Sequence, residues 1–165
     1  MKSKKLTFIL FLLAFGVFGY LRERFFEHMN IILASVYRGT NEYVNIHQEI
    51  PVLMAPFMKW SYPSLYYSKY PFTLIWTLVF FLLSHFALKK LTAQSKFLVW
   101  LRYTYLAMLC LAFFSMLFGY LLQGTLKNDE YTFSRWLLGI AQSPIICLIL
   151  LASSKLYPNT QSYDK

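Results

Sequence analysis

The chain has 165 residues, of which 58% are apolar, 20% aromatic and only 14% charged. Soluble domains carry about 25% charged residues, and so apolar a chain does not stay solvated as an open coil; the composition therefore excludes intrinsic disorder and disfavours an ordinary soluble domain. A formal net charge of +9, from 16 basic and 7 acidic residues, is typical of a nucleic-acid-binding protein. The positions of those charges decide whether that interpretation holds.

Four segments of the chain are long and apolar enough to cross a lipid bilayer. They are residues 6–21, 71–88, 103–122 and 136–154. At 1.5 Å per residue these helices would be about 24, 27, 30 and 28 Å long, against a hydrocarbon core of ~30 Å. We therefore predict one all-α membrane domain over residues 1–165, an integral membrane four-helix bundle with an extra-cytoplasmic helical or interfacial loop at 22–70.

The first segment has a second interpretation, because lysines followed by an apolar run also begin a cleavable signal peptide. The small-x-small sequence Ala14-Phe15-Gly16 lies inside the apolar run, whereas a cleavage site follows it. This position favours an uncleaved first helix. Arg22, just past the segment, would then extend its long side chain to the membrane surface.

The charges are distributed unequally between the two sides of the predicted membrane domain. With the N-terminus inside, the cytoplasmic pieces 1–5, 89–102 and 155–165 hold nine basic residues and one acidic residue. The outer pieces 22–70 and 123–135 hold seven basic and six acidic residues. An excess of Lys and Arg in short cytoplasmic loops orients membrane proteins, so both termini are predicted to be cytoplasmic. The net charge then indicates topology and a lipid bilayer as partner, and no nucleic-acid partner is predicted.

The predicted outer loop begins with an apolar stripe at helical spacing, made of Phe25, Phe26, Met29, Ile32, Leu33, Val36 and Tyr37. This helix either continues the first span out of the bilayer or lies along the outer interface, and Arg38-Gly39 is a suitable end. A short helix is predicted to begin near Pro51 and to bend near Pro56, either on the bundle or dipping into the membrane. The tyrosines that follow are interpreted as interfacial anchors, with a groove for an extended peptide or glycan as the alternative: Tyr62, Tyr66, Tyr67 and Tyr70.

A charged cluster follows the first span. It either forms local ion pairs on a solvated helix or serves as an outer docking face for a partner, together with the start of the fourth span. The residues predicted for this face are Arg22, Glu23, Arg24, Glu27, His28, Asn30, Tyr131 and Arg135.

The fourth span carries polar residues near its middle. Pro144 lacks an N–H and should kink the helix, which frees the carbonyl near Ile140, and an amide such as Gln142 should turn inward to another helix. Two small-residue pairs at helical spacing predict close packing of the third and fourth spans. The packing residues are Ser115, Gly119, Gly139, Gln142, Ser143 and Pro144.

The sequence contains no strong catalytic motif, and we predict no cofactor and no metal site. Cys110 and Cys147 both fall inside spans, where apolar surroundings make thiols inert. A membrane-embedded enzyme remains an alternative if His85 approaches Cys110, or if His28 approaches His47. A small transporter subunit is a further alternative and would need a polar path past Gln142, although no charged residue lies inside any span.

Three stretches carry a family resemblance: LRERFFEHMN at 21–30, YVNIH at 43–47 and YTFSRWLLGIAQSP at 131–144. They resemble a family of small multi-pass membrane proteins of Bacteroidota that is associated with exosortase systems. The resemblance implies an accessory protein of the bacterial inner membrane, which works beside an exosortase-like sorting enzyme in surface export or exopolysaccharide assembly. Exosortases use a Cys, an Arg and a His at the outer face. Neither cysteine is placed there, so the expected role is non-catalytic binding of a membrane protein partner.

Overall fold

The computed structural model describes residues 2–39, 51–92, 94–123 and 128–156. Every element in these ranges is helical and none is a strand, so the all-α prediction is confirmed. The elements are α1 (Lys2–Arg38), a 3₁₀ helix (Val52–Lys59), α2 (Tyr62–Leu91), α3 (Lys96–Gln123), α4 (Asn128–Ala141) and α5 (Ile145–Leu156). The YVNIH stretch at 43–47, which contains His47, lies outside the described residues. Asp164 and Lys165, which were counted among the cytoplasmic charges, also lie outside them.

Among the described residues, three helices are long and apolar enough to cross a membrane: α1, α2 and α3. A fourth segment meets the same test only as a pair, α4 with α5, which are bent by 54° at the break between them. Large apolar side chains on these helices face outward, and Leu13, Phe113 and Leu121 are each more than 60% exposed. Apolar surface of this extent is typical of helices that contact lipid or another protein.

The first helix is continuous from Lys2 to Arg38, 37 residues in all, which makes it about 55 Å long. Of the two arrangements left open by the sequence, the helix after the first apolar segment therefore continues that segment. Charged residues between Arg22 and Glu27 do not interrupt it, because charge alone does not break helical backbone hydrogen bonding. The helix ends where predicted, at Gly39, whose φ of 63° favours glycine.

The second and third helices begin before the apolar segments that predicted them, α2 at Tyr62 and α3 at Lys96. Hydropathy marks the apolar part of a helix, whereas a helix continues as long as its backbone groups are bonded. Pro63 is compatible with this early start, because the first turn needs no N–H donor. The predicted tyrosine anchors thus lie on the first turns of α2.

The short helix after Pro51 is a 3₁₀ helix of eight residues. It begins with a bond from the N–H of Met54 to the carbonyl of Pro51, 2.7 Å long, and contains Pro56. Such helices rarely exceed four residues. The position of the predicted short helix is correct, while its tighter winding was not predicted.

The chain divides into two compact units, which are described separately. The loop unit is Val17–Trp76, and the helix unit combines Met1–Gly16 with Thr77–Lys165. The boundary falls within α1 and within α2. Each unit has its own buried side chains.

Helix direction in the helix unit follows from its contacts. Thr77 and Ser84 of α2 contact Gln142 and Cys147 respectively, so α2 and α5 run in the same direction. Ser84 also lies 3.4 Å from the hydroxyl of Tyr105 on α3. The adjoining helix α3 packs along α4 and also touches α5.

Candidate interaction surface

The loop unit is built around side chains from three elements. Met29 and Ile32 of α1, Met54 of the 3₁₀ helix and Leu65 of α2 are each 3% exposed or less. This cluster explains the helical spacing between Phe25 and Val36, because that stripe faces the core. The segment after the first span is thus a folded element with one buried face and one outward face.

Aromatic rings surround this core. The ring of Phe25 lies 4.8 Å from Phe72 and 6.3 Å from Phe57, between ring centroids. Phe57 also contacts Trp60 at 4.9 Å in an edge-to-face arrangement. Such pairs add about 0.5–1.5 kcal/mol each beyond their buried area. The contacts of Phe57 with Phe25 and Phe72 therefore help Met54 to hold the 3₁₀ helix to α1 and α2.

The outward face of α1 in the loop unit carries the predicted charged cluster. Arg24 forms a 3.0 Å ion pair with Glu27, and its Nε donates to the hydroxyl of Tyr20 at 3.1 Å. The side chains of Arg24 and Glu27 are 48% and 43% exposed, and Glu23 beside them is also exposed. Exposed ion pairs of this kind contribute only about 0–1 kcal/mol to stability. Because the pair is weak and its side chains are exposed, its charges remain accessible to a partner.

Asn30 is joined to the second helix of the same unit. Lys69 Nζ donates to Asn30 Oδ1 at 2.7 Å, which links α1 to α2 across 39 positions of sequence. Sequence reasoning did not include Lys69 in the candidate face, because helical spacing reports only neighbours on one helix. The outward surface of the loop unit therefore has a further cation next to Asn30.

The remaining predicted face residues are placed differently. Arg22 and His28 are partly buried, and the guanidinium of Arg22 lies over the ring of Phe26 at 5.9 Å. Arg135 is exposed on α4, in the helix unit. The side chain of Tyr131 lies outside the described residues. A single face that includes Arg135 and Tyr131 stays a prediction.

Tyrosines form a second exposed feature of the loop unit, here called the tyrosine array. Tyr37 of α1 lies 5.4 Å from Tyr62 of α2, and Tyr62 stacks on Tyr66 at 6.3 Å. Tyr66 in turn contacts Tyr67 at 5.5 Å and Tyr70 at 6.3 Å. Tyr37 and Tyr67 are 75% and 66% exposed. Exposed phenol rings are suited to a membrane interface or to a protein partner.

The polar residues of the fourth segment lie inside the helix unit. Gln142 is 4% exposed, and its Nε2 donates to Thr77 Oγ1 at 2.8 Å, where Thr77 is 2% exposed. The bond joins the start of the α4–α5 break to α2. The amide acts as an interhelical contact, the role that its position in the sequence predicted for it.

Backbone groups freed at the break are satisfied locally. The carbonyl of Ile140, which Pro144 cannot reach, accepts bonds from the N–H of Ser143 at 3.1 Å and from its hydroxyl at 2.7 Å. Gln142 N–H donates to the carbonyl of Leu138 at 2.9 Å. The kink predicted from Pro144 is present as the 54° bend between α4 and α5. The bend costs little free energy, because the backbone groups at the break keep their hydrogen-bond partners.

One contact between α3 and α4 joins small residues that lie one turn or more from those predicted. Ser134 Oγ donates to the carbonyl of Ala112 at 2.9 Å, and both residues are at most 3% exposed. A Cβ added at Gly139 would meet nothing within 4 Å, so Gly139 is not at this contact. Ser115 is half-buried, and the surroundings of Gly119 lie outside the described residues.

Among the residues that the structure describes, His85 and the two cysteines do not form a hydrogen-bonded pair. Cys110 is exposed, whereas Cys147 is buried and its Sγ contacts the carbonyl of Ser84 at 4.0 Å. The ring of His85 lies between Phe81 and Phe86, at 6.1 and 5.9 Å, and is not hydrogen-bonded to Cys110. Within the described ranges no three His, Cys, Asp or Glu residues come together as a metal site.

The bond between Gln142 and Thr77 gives a first testable prediction. In a double-mutant cycle of Gln142→Leu and Thr77→Val, measured by unfolding in micelles, the coupling energy is expected to be about 0.6 kcal/mol and at most about 1.7 kcal/mol. Ser143→Ala with Thr77→Val serves as the control cycle, because Ser143 bonds its own helix. Equal coupling in both cycles would contradict a specific bond between the two helices.

No protein-family model, no curated protein and no solved structure matches this chain.

Proposed function

We propose that this chain is a non-catalytic, multi-pass accessory protein of the bacterial inner membrane that binds a membrane protein partner through its loop unit. One observation carries the proposal: the segment after the first apolar span is a folded unit with a closed core and an exposed charged face. A mere connection between spans needs no such core. Tyrosine and arginine are enriched in protein interfaces, and the tyrosine array and Arg24 place both on the exposed surface of this unit.

The proposed topology has four spans, with the α4–α5 pair crossing as one bent span and both termini in the cytoplasm. Support comes from the apolar length of α1, α2 and α3 and from the concentration of basic residues at 1–5, 89–102 and 155–165. The loop unit then extends outside the cytoplasm. The tyrosine array would lie beside the outer headgroups, where tyrosine is enriched.

The proposed partner is an exosortase-like sorting enzyme. The support for this identity is the resemblance carried by residues 21–30, 43–47 and 131–144. Two of these stretches contribute charged residues to the predicted face, among them Arg24 and Arg135.

Fusion reporters test the topology. Alkaline phosphatase joined after Trp60 is expected to be active, and the same enzyme joined after Lys90 or at the C-terminus is expected to be inactive. Green fluorescent protein at those sites should give the reverse pattern. An active phosphatase after Lys90 would overturn the proposed orientation.

Photocrosslinking in native membranes tests the partner surface. A photoreactive residue at Glu23 is expected to give a discrete adduct with an exosortase-like enzyme, whereas the same residue at Lys90 should not. The matched variant exchanges the charges, R24E with E27R, which keeps the local ion pair and the net charge but inverts the face; the adduct yield should fall. Equal yields in the original and exchanged chains would contradict recognition by this face.

A further inference from the structure

The start of α1 and the ends of α2 and α5 lie at one end of the helix unit. The rings of Phe15 and Phe80 are 6.1 Å apart, while Phe8 lines the same groove as Leu91. These two contacts show that α1 runs antiparallel to α2. Because α5 runs in the same direction as α2, its final residues reach this end as well. The α2–α3 turn follows Leu91 directly, so α3 begins there too.

This end of the helix unit is purely basic among the described residues. Seven exposed cations are distributed over four helices, and no Asp or Glu of the described ranges accompanies them: Lys4, Lys5, Lys89, Lys90, Lys96, Arg102 and Lys155. Lysines that only orient the chain in the membrane can lie on any face of their helices. Here some of them are aligned with one surface feature.

That feature is a shallow apolar groove between α1, α2 and α5, open on one side. Apart from the thiol of Cys147, its lining is hydrocarbon, formed by Phe8, Phe15, Ala87, Leu91, Leu148 and Leu151 among others. Three cations adjoin this lining. Lys4 lies one turn before Phe8, Lys155 one turn after Leu151, and Lys90 directly before Leu91.

We propose that this groove is a binding site for an anionic phospholipid of the surrounding bilayer. One acyl chain lies along the apolar groove, and the phosphate is held by Lys4 and Lys155, with Lys90 beside them. A shallow apolar groove with cations at one end fits a molecule with hydrocarbon at one end and a phosphodiester at the other. Basic clusters between helices on the cytoplasmic side are known to take anionic headgroups. The inference rests on the membrane-spanning part of the proposed function and not on its partner.

A specific lipid site can be distinguished from a general attraction of anionic lipids to the basic end of the helix unit. Lys96 and Arg102 belong to the same basic end but lie on α3, which contributes no residue to the groove. Removing them changes the net charge as much as removing Lys4 and Lys155. The two pairs therefore carry the same charge and differ in their relation to the groove.

Native mass spectrometry of the full chain in zwitterionic micelles tests the site, with dioleoyl phosphatidylglycerol as the probe and dioleoyl phosphatidylcholine as the neutral reference. The chain is expected to retain phosphatidylglycerol in preference. In K4Q with K155Q, affinity should fall by about tenfold to thirtyfold, since each lysine near the surface contributes about 1 kcal/mol. In K96Q with R102Q it should change by less than about threefold, because these charges act only at a distance. A reporter at the C-terminus checks that neither pair changes the topology.

Equal losses in the two paired variants would overturn the site in favour of diffuse charge. Equal binding of the neutral reference would overturn the phosphate contact. Dihexanoyl phosphatidylglycerol, with the same headgroup and short chains, should bind more weakly than the dioleoyl lipid, and equal binding would exclude the groove. Extraction of the chain from membranes by alkaline carbonate would instead contradict the membrane-spanning proposal itself, so the two failures are distinguishable.

Discussion

Replacing Met29 by alanine is expected to lower the free energy of unfolding of the loop unit by about 2–5 kcal/mol. Met29 has no exposed surface and packs with Ile32, Met54 and Leu65, which come from three different elements. Truncation would leave a cavity that those neighbours fill only in part, because each is fixed on its own helix. A loss of this size is a large fraction of the stability of a small folded unit.

Met58 offers a matched control, since it is the same residue type on the 3₁₀ helix and is 46% exposed. M58A should change stability by no more than about 0.5 kcal/mol. Hydrogen exchange of the full chain in micelles, read at the amides of residues 25–36, is the measurement. If M29A and M58A exchange alike, the loop unit lacks the closed core on which the proposed function depends.

Phe80→Ala is expected to destabilise the helix unit, by less than the ~3–5 kcal/mol that this truncation costs in a water-soluble core. Phe80 is 1% exposed on α2 and contacts Phe15 of α1. In a membrane the loss comes mainly from missing van der Waals contacts, because lipid tails are as apolar as the side chain itself. The same substitution would also loosen the contact that sets α1 antiparallel to α2.

Phe86 lies two turns further along α2 and is 53% exposed, so F86A isolates the effect of burial. Titration of the purified chain with a denaturing detergent, followed by circular dichroism, should show an earlier transition for F80A alone. A transition that moves equally in both variants would mean that Phe80 contacts the surrounding lipid or micelle more than the protein.

Several features of the fold could be predicted because their causes are local. Gly39 ends α1, and Pro144 separates α4 from α5, since each residue limits the backbone wherever it stands. The boundaries of the helices were predicted less well. Apolar content predicted spans that begin at 71 and 103, yet α2 begins at Tyr62 and α3 at Lys96, because a helix can extend beyond its apolar part.

Contacts between distant residues are the part that sequence reasoning did not reach. Lys69 bonds Asn30, and Ser134 bonds the carbonyl of Ala112, through pairings that depend on how two helices are rotated against each other. Periodicity along one helix contains no such information. It does identify the faces that become buried, as the stripe through Met29 and Ile32 shows, but not the partner that covers them.

The order of the helices along the chain has a consequence for biogenesis. Both helices that supply polar partners to the bent α4–α5 pair, through Thr77 and Ala112, are synthesised before it. A segment with an amide and a proline near its middle enters lipid less readily than a wholly apolar one. In the proposed four-span topology this segment leaves the ribosome when its hydrogen-bonding partners already exist, so α2 and α3 would serve as the template on which it inserts.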